Sequence, residues 1–164
     1  MVGDLGCGPG HDLRRLLAAG HRAVGLDRSP GLLVLCPPES GLVLGDLQSV
    51  PIADGSLDAI WSSAALLHIN RDQLAATFCE WDRVLAPGAT VAFATSLGGD
   101  EGWEVVPAGQ TRVPERADGH QRWFVHHTEP GLLEAVATVG WEVISSAVRS
   151  STRDWLQVVA KTNL

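Results

Sequence analysis

Three glycines within five residues constrain this chain more than any other feature. The segment Asp4-Leu5-Gly6-Cys7-Gly8-Pro9-Gly10 closes a short apolar run at residues 2–5 and precedes a helical pattern at residues 11–19. Glycines at such a junction let the backbone turn tightly and approach a ligand without a Cβ clash. The N-terminus of the following helix favours a negative group such as a carboxylate. The segment predicts a ligand-binding turn, with an ordinary strand-to-helix turn as the alternative.

The glycine spacing separates two classes of nucleotide ligand. It has the form G-x-G-x-G, and His11 stands where a dinucleotide-binding segment has its third glycine. This spacing disfavours NAD and favours a nucleoside ligand without a pyrophosphate. An NAD(P)-dependent oxidoreductase is therefore the weaker alternative.

Strand-like and helix-like segments alternate along the first half of the chain, which predicts an α/β sheet. The predicted strands cover residues 2–5, 23–26, 42–44, 57–61, 89–95, 142–148 and 155–160, and the predicted helices cover residues 11–19, 71–85 and 128–139, with a short helix after Ser29-Pro30. The last two strands follow each other directly, which favours an antiparallel pair at the sheet edge. Residues 98–119 are rich in glycine, proline and charge and predict a long loop, functional or disordered.

Two acidic residues follow the second and third predicted strands. Asp27 lies 17 residues after Gly10, where a carboxylate can accept both hydrogen bonds from ribose hydroxyls; the alternative is a helix-capping aspartate. Asp46, in Gly45-Asp46-Leu47, is placed to accept from an adenine amino group, with the Leu47 backbone facing the ring. A Gly-Asp pair alone is more often a plain turn.

Composition excludes several classes of partner. The formal net charge is -7, from 19 acidic and 12 basic residues, so the basic footprint of a nucleic-acid binder is absent and a small-molecule substrate is favoured. The three cysteines form no CxxC pair, which predicts a reduced cytoplasmic chain without a cysteine-based zinc site. With no apolar stretch of about 18 residues and no signal peptide, no membrane association is expected.

Together these residues resemble the class I S-adenosylmethionine (SAM)-dependent methyltransferase superfamily. Residues 4–10 match its D-x-G-x-G-x-G segment, and Asp27 matches its ribose-binding acid. The other matching positions are Asp46, Pro51 and residues 54–58, 61–68, 85–88, 122–124, 139–141 and 154–156. Ala86 and Ala89 depart from the L-K-P-G-G segment of the family. The order and spacing of the segments, which cover nearly the whole chain, carry the resemblance.

The resemblance implies a Rossmann-like, doubly wound α/β sheet that is mostly parallel with an antiparallel last strand. It implies that residues 1–164 form one methyltransferase domain, which transfers a methyl group from SAM to an unidentified small-molecule acceptor and releases S-adenosylhomocysteine. The residues expected to bind the cofactor are Asp4, Gly6, Cys7, Gly8, Gly10, Asp27, Arg28, Asp46, Leu47, Ser62 and Ser63. His68, after the fourth strand, is the candidate catalytic residue; the alternative is a structural or helix-start histidine.

Family members usually carry several tens of residues before the SAM segment, and these form helices that cover the cofactor. This sequence begins two residues before Gly3, so we expect a domain that lacks this N-terminal cover. An open cleft exposes apolar surface, which favours a homo-oligomer. The same feature makes a catalytically weak module that binds SAM or S-adenosylhomocysteine the second hypothesis.

Two further groups of residues are weaker candidates. His126 and His127 are adjacent, so their side chains diverge, and a surface or substrate-rim role is favoured over a metal site. No metal is expected. Trp103, Trp123 and Phe124 are candidates for an apolar pocket, although aromatic residues more often simply pack.

Overall fold

The computed structural model describes residues 1–105 and 121–163. Its strands are β1 (Val2–Leu5), β2 (Ala23–Asp27), β3 (Gly41–Leu44), β4 (Leu57–Ser63), β5 (Leu85–Ser96), β6 (Glu101–Val105), β7 (Gln121–Val125), β8 (Glu142–Ser150) and β9 (Asp154–Lys161). Its helices are α1 (His11–Ala18), α2 (Pro30–Leu33), α3 (Leu74–Val84) and α4 (Glu129–Thr138), with 3-10 turns at Leu66–His68 and Arg71–Gln73.

Seven strands form one sheet in the order β3-β2-β1-β4-β5-β9-β8. Strands β1 to β5 are parallel, β9 is antiparallel to β5, and β8 is antiparallel to β9. The predicted fold, with its antiparallel edge pair, is confirmed. Strands β2 and β3 follow on one side of β1, and the chain then crosses to the other side of β1, where β4 and β5 lie. Open α/β sheets bind ligands at the carboxyl ends of the strands beside such a reversal.

The main core lies between the sheet and helices α3 and α4. Phe78 of α3 is fully buried, and its ring centroid lies 5.5 Å from Trp81, 5.5 Å from Phe93 of β5 and 5.3 Å from Trp141. This spacing suits favourable aromatic pairs. The buried face of α3 is therefore the face that packs on the sheet.

The prediction of a loop at residues 98–119 is wrong for residues 101–105, which form part of a separate two-stranded hairpin. Strands β6 and β7 pair antiparallel, with Trp103 opposite Trp123 and their ring centroids 5.7 Å apart. Residues 101–105 thus form a strand rather than a loop; residues 106–119 of the predicted loop lie outside the described residues. No helix in the described ranges is long and apolar enough to cross a bilayer.

Replacing Trp81 with phenylalanine tests the link between α3 and the segment after β3. Trp81 is fully buried, and its indole N–H donates to the Leu47 carbonyl at 3.0 Å. The Trp81→Phe variant should lose about 1–3 kcal/mol of unfolding free energy, because it leaves a gap in the core and the partly buried Leu47 carbonyl without its donor. Urea unfolding followed by circular dichroism measures this loss.

The matched control is Trp103→Phe, since Trp103 is 66% exposed. It should change stability by no more than about 0.5 kcal/mol. Equal losses in the two variants would contradict the assignment of Trp81 to the core.

Candidate active site

An open cleft of about 1110 Å³ lies at the carboxyl ends of β1, β2, β3 and β4. Most of the site residues predicted from sequence meet there. Those that line it are Asp4, Gly6, Cys7, Gly8, Asp27, Arg28, Asp46, Leu47, Ser63 and His68. These residues therefore line one cleft, at the position where the sheet topology favours ligand binding.

Gly10 and Ser62 lie outside the lining of this cleft. Gly10 precedes α1 with φ 76°, and a Cβ on it would lie 2.9 Å from the Sγ of Cys36. The Ser62 side chain is buried, and its hydroxyl donates to the Leu5 carbonyl at 2.8 Å. Both residues therefore shape the frame behind the cleft rather than its surface.

The glycine turn after β1 needs glycine at two positions for different reasons. Gly6 has φ +79°, and a Cβ there would lie 2.4 Å from the Cβ of Ala65, so packing excludes a side chain. Gly8 has φ +52° and lines the cleft, and a Cβ there would meet nothing within 4 Å. The open space beside Gly8 lets a ligand approach the backbone closely.

Asp27 joins the glycine turn to the end of β2. One carboxylate oxygen accepts the Gly8 N–H at 2.9 Å, and the other accepts the Ser29 N–H at 2.8 Å. Each oxygen of an ionised carboxylate has a second lone-pair direction. Asp27 can thus hold the turn and still accept hydrogen bonds from a diol in the cleft.

Asp4 presents a buried carboxyl group to the same cleft. It is 2% exposed, and its Oδ2 has no hydrogen-bond partner among the residues that the structure describes. Burial, followed by repulsion from Asp12, raises its pKa from 3.8 to about 7, although the Leu13 N–H opposes this rise. A cationic ligand group beside Asp4 would satisfy the free oxygen and favour the ionised form.

Cys7 of the glycine turn and Asp46 after β3 are two further residues of the cleft lining. Burial raises the pKa of the Cys7 thiol, which keeps it protonated. Asp46 accepts the Gln48 N–H at 3.0 Å, which forms a local turn at the cleft edge. The plain-turn alternative for Asp46 is thus present in the structure, on a residue that also lines the cleft.

The opposite side of the cleft, here called the hairpin side, consists of His68, Arg122 and Trp123. His68 Nδ1–H donates a hydrogen bond to the Trp123 carbonyl at 3.1 Å. Partial loss of water around the ring, with the charges of Arg122 and Arg28, lowers the pKa of His68 against the opposing effect of that hydrogen bond. The imidazole is therefore neutral near pH 7.

The sequence reasoning missed Asp12 and misplaced the histidine pair. Asp12 lines the cleft and accepts the Trp61 indole N–H at 3.0 Å; its position in the first turn of α1 was the available signal. The surface or rim role predicted for His126 and His127 is wrong, because they are only 7% and 1% exposed. No metal-binding cluster of histidine, cysteine or acidic residues occurs within residues 1–105 and 121–163.

Comparison with known proteins places the chain in a family. Residues 3–93 match the methyltransferase domain model. Malonyl-[acyl-carrier protein] O-methyltransferase of Dechloromonas aromatica is 42% identical over 139 residues, which cover 83% of this chain and 49% of that protein. The enzyme of the same name from Methylococcus capsulatus is 38% identical over 166 residues, 96% of this chain and 57% of that protein. The chain thus spans about half the length of these relatives.

Solved structures show the same fold at low sequence identity. A SAM-dependent methyltransferase from Methanosarcina mazei superimposes with a TM-score of 0.76 at 20% identity, covering 99% of this chain and 92% of that one. A 1,6-didemethyltoxoflavin-N1-methyltransferase from Burkholderia thailandensis gives 0.73 at 18% identity, covering 99% and 71%. The chain belongs to the methyltransferase domain family of the class I SAM-dependent superfamily. This membership confirms the superfamily, the enzyme class and the cofactor, SAM, expected from the sequence.

The residues of the cleft fit this cofactor. The unpartnered oxygen of Asp4 suits the α-ammonium of the methionine part, the open space at Gly8 suits close approach of a ligand to the turn, and Asp27 retains lone pairs for a ribose diol. We propose that these three residues hold SAM and that Gly6, Cys7, Asp46, Leu47 and Ser63, the other predicted cofactor residues in the lining apart from Arg28, complete its site.

Substitution at Gly8 separates ligand contact from backbone strain. Gly8→Ala should weaken S-adenosylhomocysteine binding about tenfold or more, because the new methyl group occupies space that the ligand needs, and should cost about 1–2 kcal/mol of stability. Calorimetric titration and thermal unfolding measure the two effects.

Gly20 is the matched control, since it has φ +86°, open space around its Cβ position and no place in the cleft lining. Gly20→Ala should cost similar stability and leave affinity unchanged. Equal affinities of the two variants would remove Gly8 from the binding site.

Replacing Asp4 with asparagine should weaken ligand binding and strengthen the fold at alkaline pH. The folded pKa of about 7 exceeds the ordinary value of 3.8, so the stability that Asp4 contributes is complete below pH 3.8 and is lost as pH rises through 7. At pH 8 the Asp4→Asn variant should be more stable than the parent by up to roughly 4 kcal/mol, with little difference at pH 4. Binding of S-adenosylhomocysteine at pH 8 should fall at least about tenfold.

Thermal unfolding at both pH values and calorimetry at pH 8 provide the measurements. A variant that is less stable than the parent at pH 8, or that binds the ligand unchanged, would show that Asp4 has a different role.

Proposed function

We propose that this domain transfers the methyl group of SAM to the free carboxylate of a malonyl thioester carried on an acyl carrier protein. The sequence alone led to an unidentified small-molecule acceptor. The names of the relatives in Dechloromonas aromatica and Methylococcus capsulatus support the more specific acceptor. The observation that carries the proposal is that Arg28 and Arg122 line the cleft; the third arginine among the described lining residues, Arg15, is paired with Asp12 at 2.7 Å.

The two arginines provide the charge that a carboxylate acceptor requires. Arg28 follows β2 and Arg122 lies on β7, and the charges of both act on the His68 ring of the hairpin side. Guanidinium groups bind carboxylates with paired, charge-assisted hydrogen bonds. Four aspartates of the described chain also line the cleft, but the charges of Arg28 and Arg122 both act on the His68 ring, and there they favour an anionic acceptor over a neutral one.

A carboxylate acceptor also explains why the cleft needs no strong base. The acceptor is already ionised at neutral pH, so its oxygen attacks the methyl carbon while the bond from carbon to sulfur breaks and its electron pair stays on sulfur. No proton moves, and the products are the methyl ester and S-adenosylhomocysteine. The protein then contributes by holding acceptor and donor in line. His68, the catalytic candidate from sequence, would act by holding Trp123 in place rather than by removing a proton.

Methyl transfer from radiolabelled SAM to a matched panel of acceptors tests the proposal. Malonyl-acyl carrier protein should be methylated, and acetyl-acyl carrier protein, which lacks the carboxylate, should not. Equal use of free malonate would support a small-molecule acceptor instead. Binding of S-adenosylhomocysteine without transfer to any acceptor would support the binding-module hypothesis, and NADH binding without SAM binding would support an oxidoreductase.

Substitution of Arg122 tests the anion site directly. Arg122→Leu should raise the KM for malonyl-acyl carrier protein about tenfold or more, through loss of a charged hydrogen bond, and leave S-adenosylhomocysteine affinity within about twofold. Arg149→Leu is the control, since Arg149 is exposed on β8 and outside the cleft lining. An unchanged KM in the Arg122 variant would remove this arginine from acceptor recognition.

A further inference from the structure

Four polar side chains form one connected network beside the hairpin side of the cleft. They are Ser96 at the end of β5, Glu104 on β6, His126 after β7 and Arg153 before β9; we call them the hairpin network. The Ser96 hydroxyl lies 2.8 Å from His126 Nδ1, and His126 Nε2 contacts Glu104. Arg153 donates to the second Glu104 oxygen at 2.9 Å. Three separate parts of the chain are thus joined through the imidazole of His126.

The order of serine, histidine and glutamate resembles that of a nucleophilic triad, but the burial excludes that chemistry. Ser96 is fully buried and does not line the cleft, so no substrate carbonyl can reach its oxygen. A carboxylate oxygen only accepts, so His126 Nε2–H donates to Glu104; Arg153 Nη1 also lies 3.3 Å from Nε2, and the direction of the bond between Ser96 and Nδ1 depends on the tautomer of His126. Every member is hydrogen-bonded, and such a network makes its surroundings rigid.

Phe124 connects the hairpin network to the cleft. The Arg153 guanidinium carbon lies 5.7 Å from the Phe124 ring centroid, and the His126 ring stacks on the same ring at 6.1 Å. On the cleft side, the centroids of Phe124 and His68 are 5.3 Å apart. The residues directly before Phe124 are Arg122 and Trp123, which line the cleft. A shift of the network therefore moves the side of the cleft proposed to bind the acceptor.

The hairpin depends on such tethers because it has little apolar support. It has two strands and lies outside the main sheet, and isolated two-stranded hairpins are marginally stable. Trp103 is 66% exposed and Trp123 is 38% exposed, so their pairing buries little area. Arg71 supplies a second tether, with donors to Glu101 and to the Asp100 carbonyl, both at 2.8 Å.

We propose that Glu104 and His126 are positioning residues that set acceptor binding through the hairpin without contacting either substrate. This inference rests on the proposed function only for the measurement of KM with malonyl-acyl carrier protein. The cofactor side of the cleft is formed by the ends of β1, β2 and β3, which share no member with the hairpin network. Loosening the network therefore affects acceptor binding and leaves cofactor binding intact.

Replacing Glu104 with alanine removes both contacts, with His126 and with Arg153, from a side chain that is one-third exposed. The variant should raise the KM for malonyl-acyl carrier protein about tenfold and keep S-adenosylhomocysteine affinity within about twofold. Glu104→Gln keeps a hydrogen-bond acceptor for His126 and should recover most of the loss. Glu142→Ala is the control, since Glu142 is exposed on β8.

Amide hydrogen exchange supplies a readout that does not require turnover. In Glu104→Ala the amides of residues 121–125 should exchange faster, while those of β5 stay unchanged. Unchanged exchange in the hairpin would overturn the inference whatever the acceptor. Faster hairpin exchange with no methylation of any acceptor would support the network and overturn the proposed function. Faster exchange with tenfold weaker S-adenosylhomocysteine binding would overturn a role specific to the acceptor.

Discussion

The turn between β1 and α1 is the element on which the cleft depends, and hydrogen bonds hold it from two sides. The Leu26 carbonyl accepts the N–H groups of Gly6 at 2.7 Å and Cys7 at 3.0 Å, and Asp27 accepts that of Gly8. From the other side, Arg14 of α1 donates to the Pro9 carbonyl at 2.9 Å. The end of β2 thus positions the turn after β1, so the binding surface is already formed before a ligand binds. A site held in this way loses little conformational entropy on binding.

The parts of the site that the sequence predicted are those determined by local chemistry. Glycine spacing fixes a turn, and a carboxylate at the end of a parallel strand falls at the edge where open sheets bind ligands, so Gly8 and Asp27 both line the cleft. The unsatisfied oxygen of Asp4 was not predictable, because it depends on how the folded chain buries the carboxyl group and on which donors reach it. Periodicity shows which residues form a strand, but not which lone pair lacks a donor.

The hairpin and the histidine pair were misread because their partners are distant in sequence. Trp103 pairs with Trp123, and the residues between them gave a composition typical of loops. The premise that adjacent histidine side chains diverge was correct, but both directions are buried: His126 meets Ser96 and Glu104, and His127 Nε2 bonds the Leu66 carbonyl at 2.9 Å. Only the folded arrangement of β5, β6 and the 3-10 turn at Leu66–His68 around the end of β7 supplies these partners.

The two sides of the cleft differ in what holds them, and this difference bears on how acceptors are chosen. The cofactor side is built from parallel strands of the main sheet, and the packed core around β1 and β2 tolerates little adjustment. The hairpin side is a two-stranded element held by polar contacts of Glu104, His126 and Arg71. Each of these hydrogen bonds contributes a modest free energy and depends on the positions of both partners. Substitutions in the hairpin can therefore alter acceptor contacts without disturbing the sheet. With the proposed roles of the two sides, a domain arranged in this way keeps one methyl donor while its acceptor changes, since function depends on the site rather than on the fold.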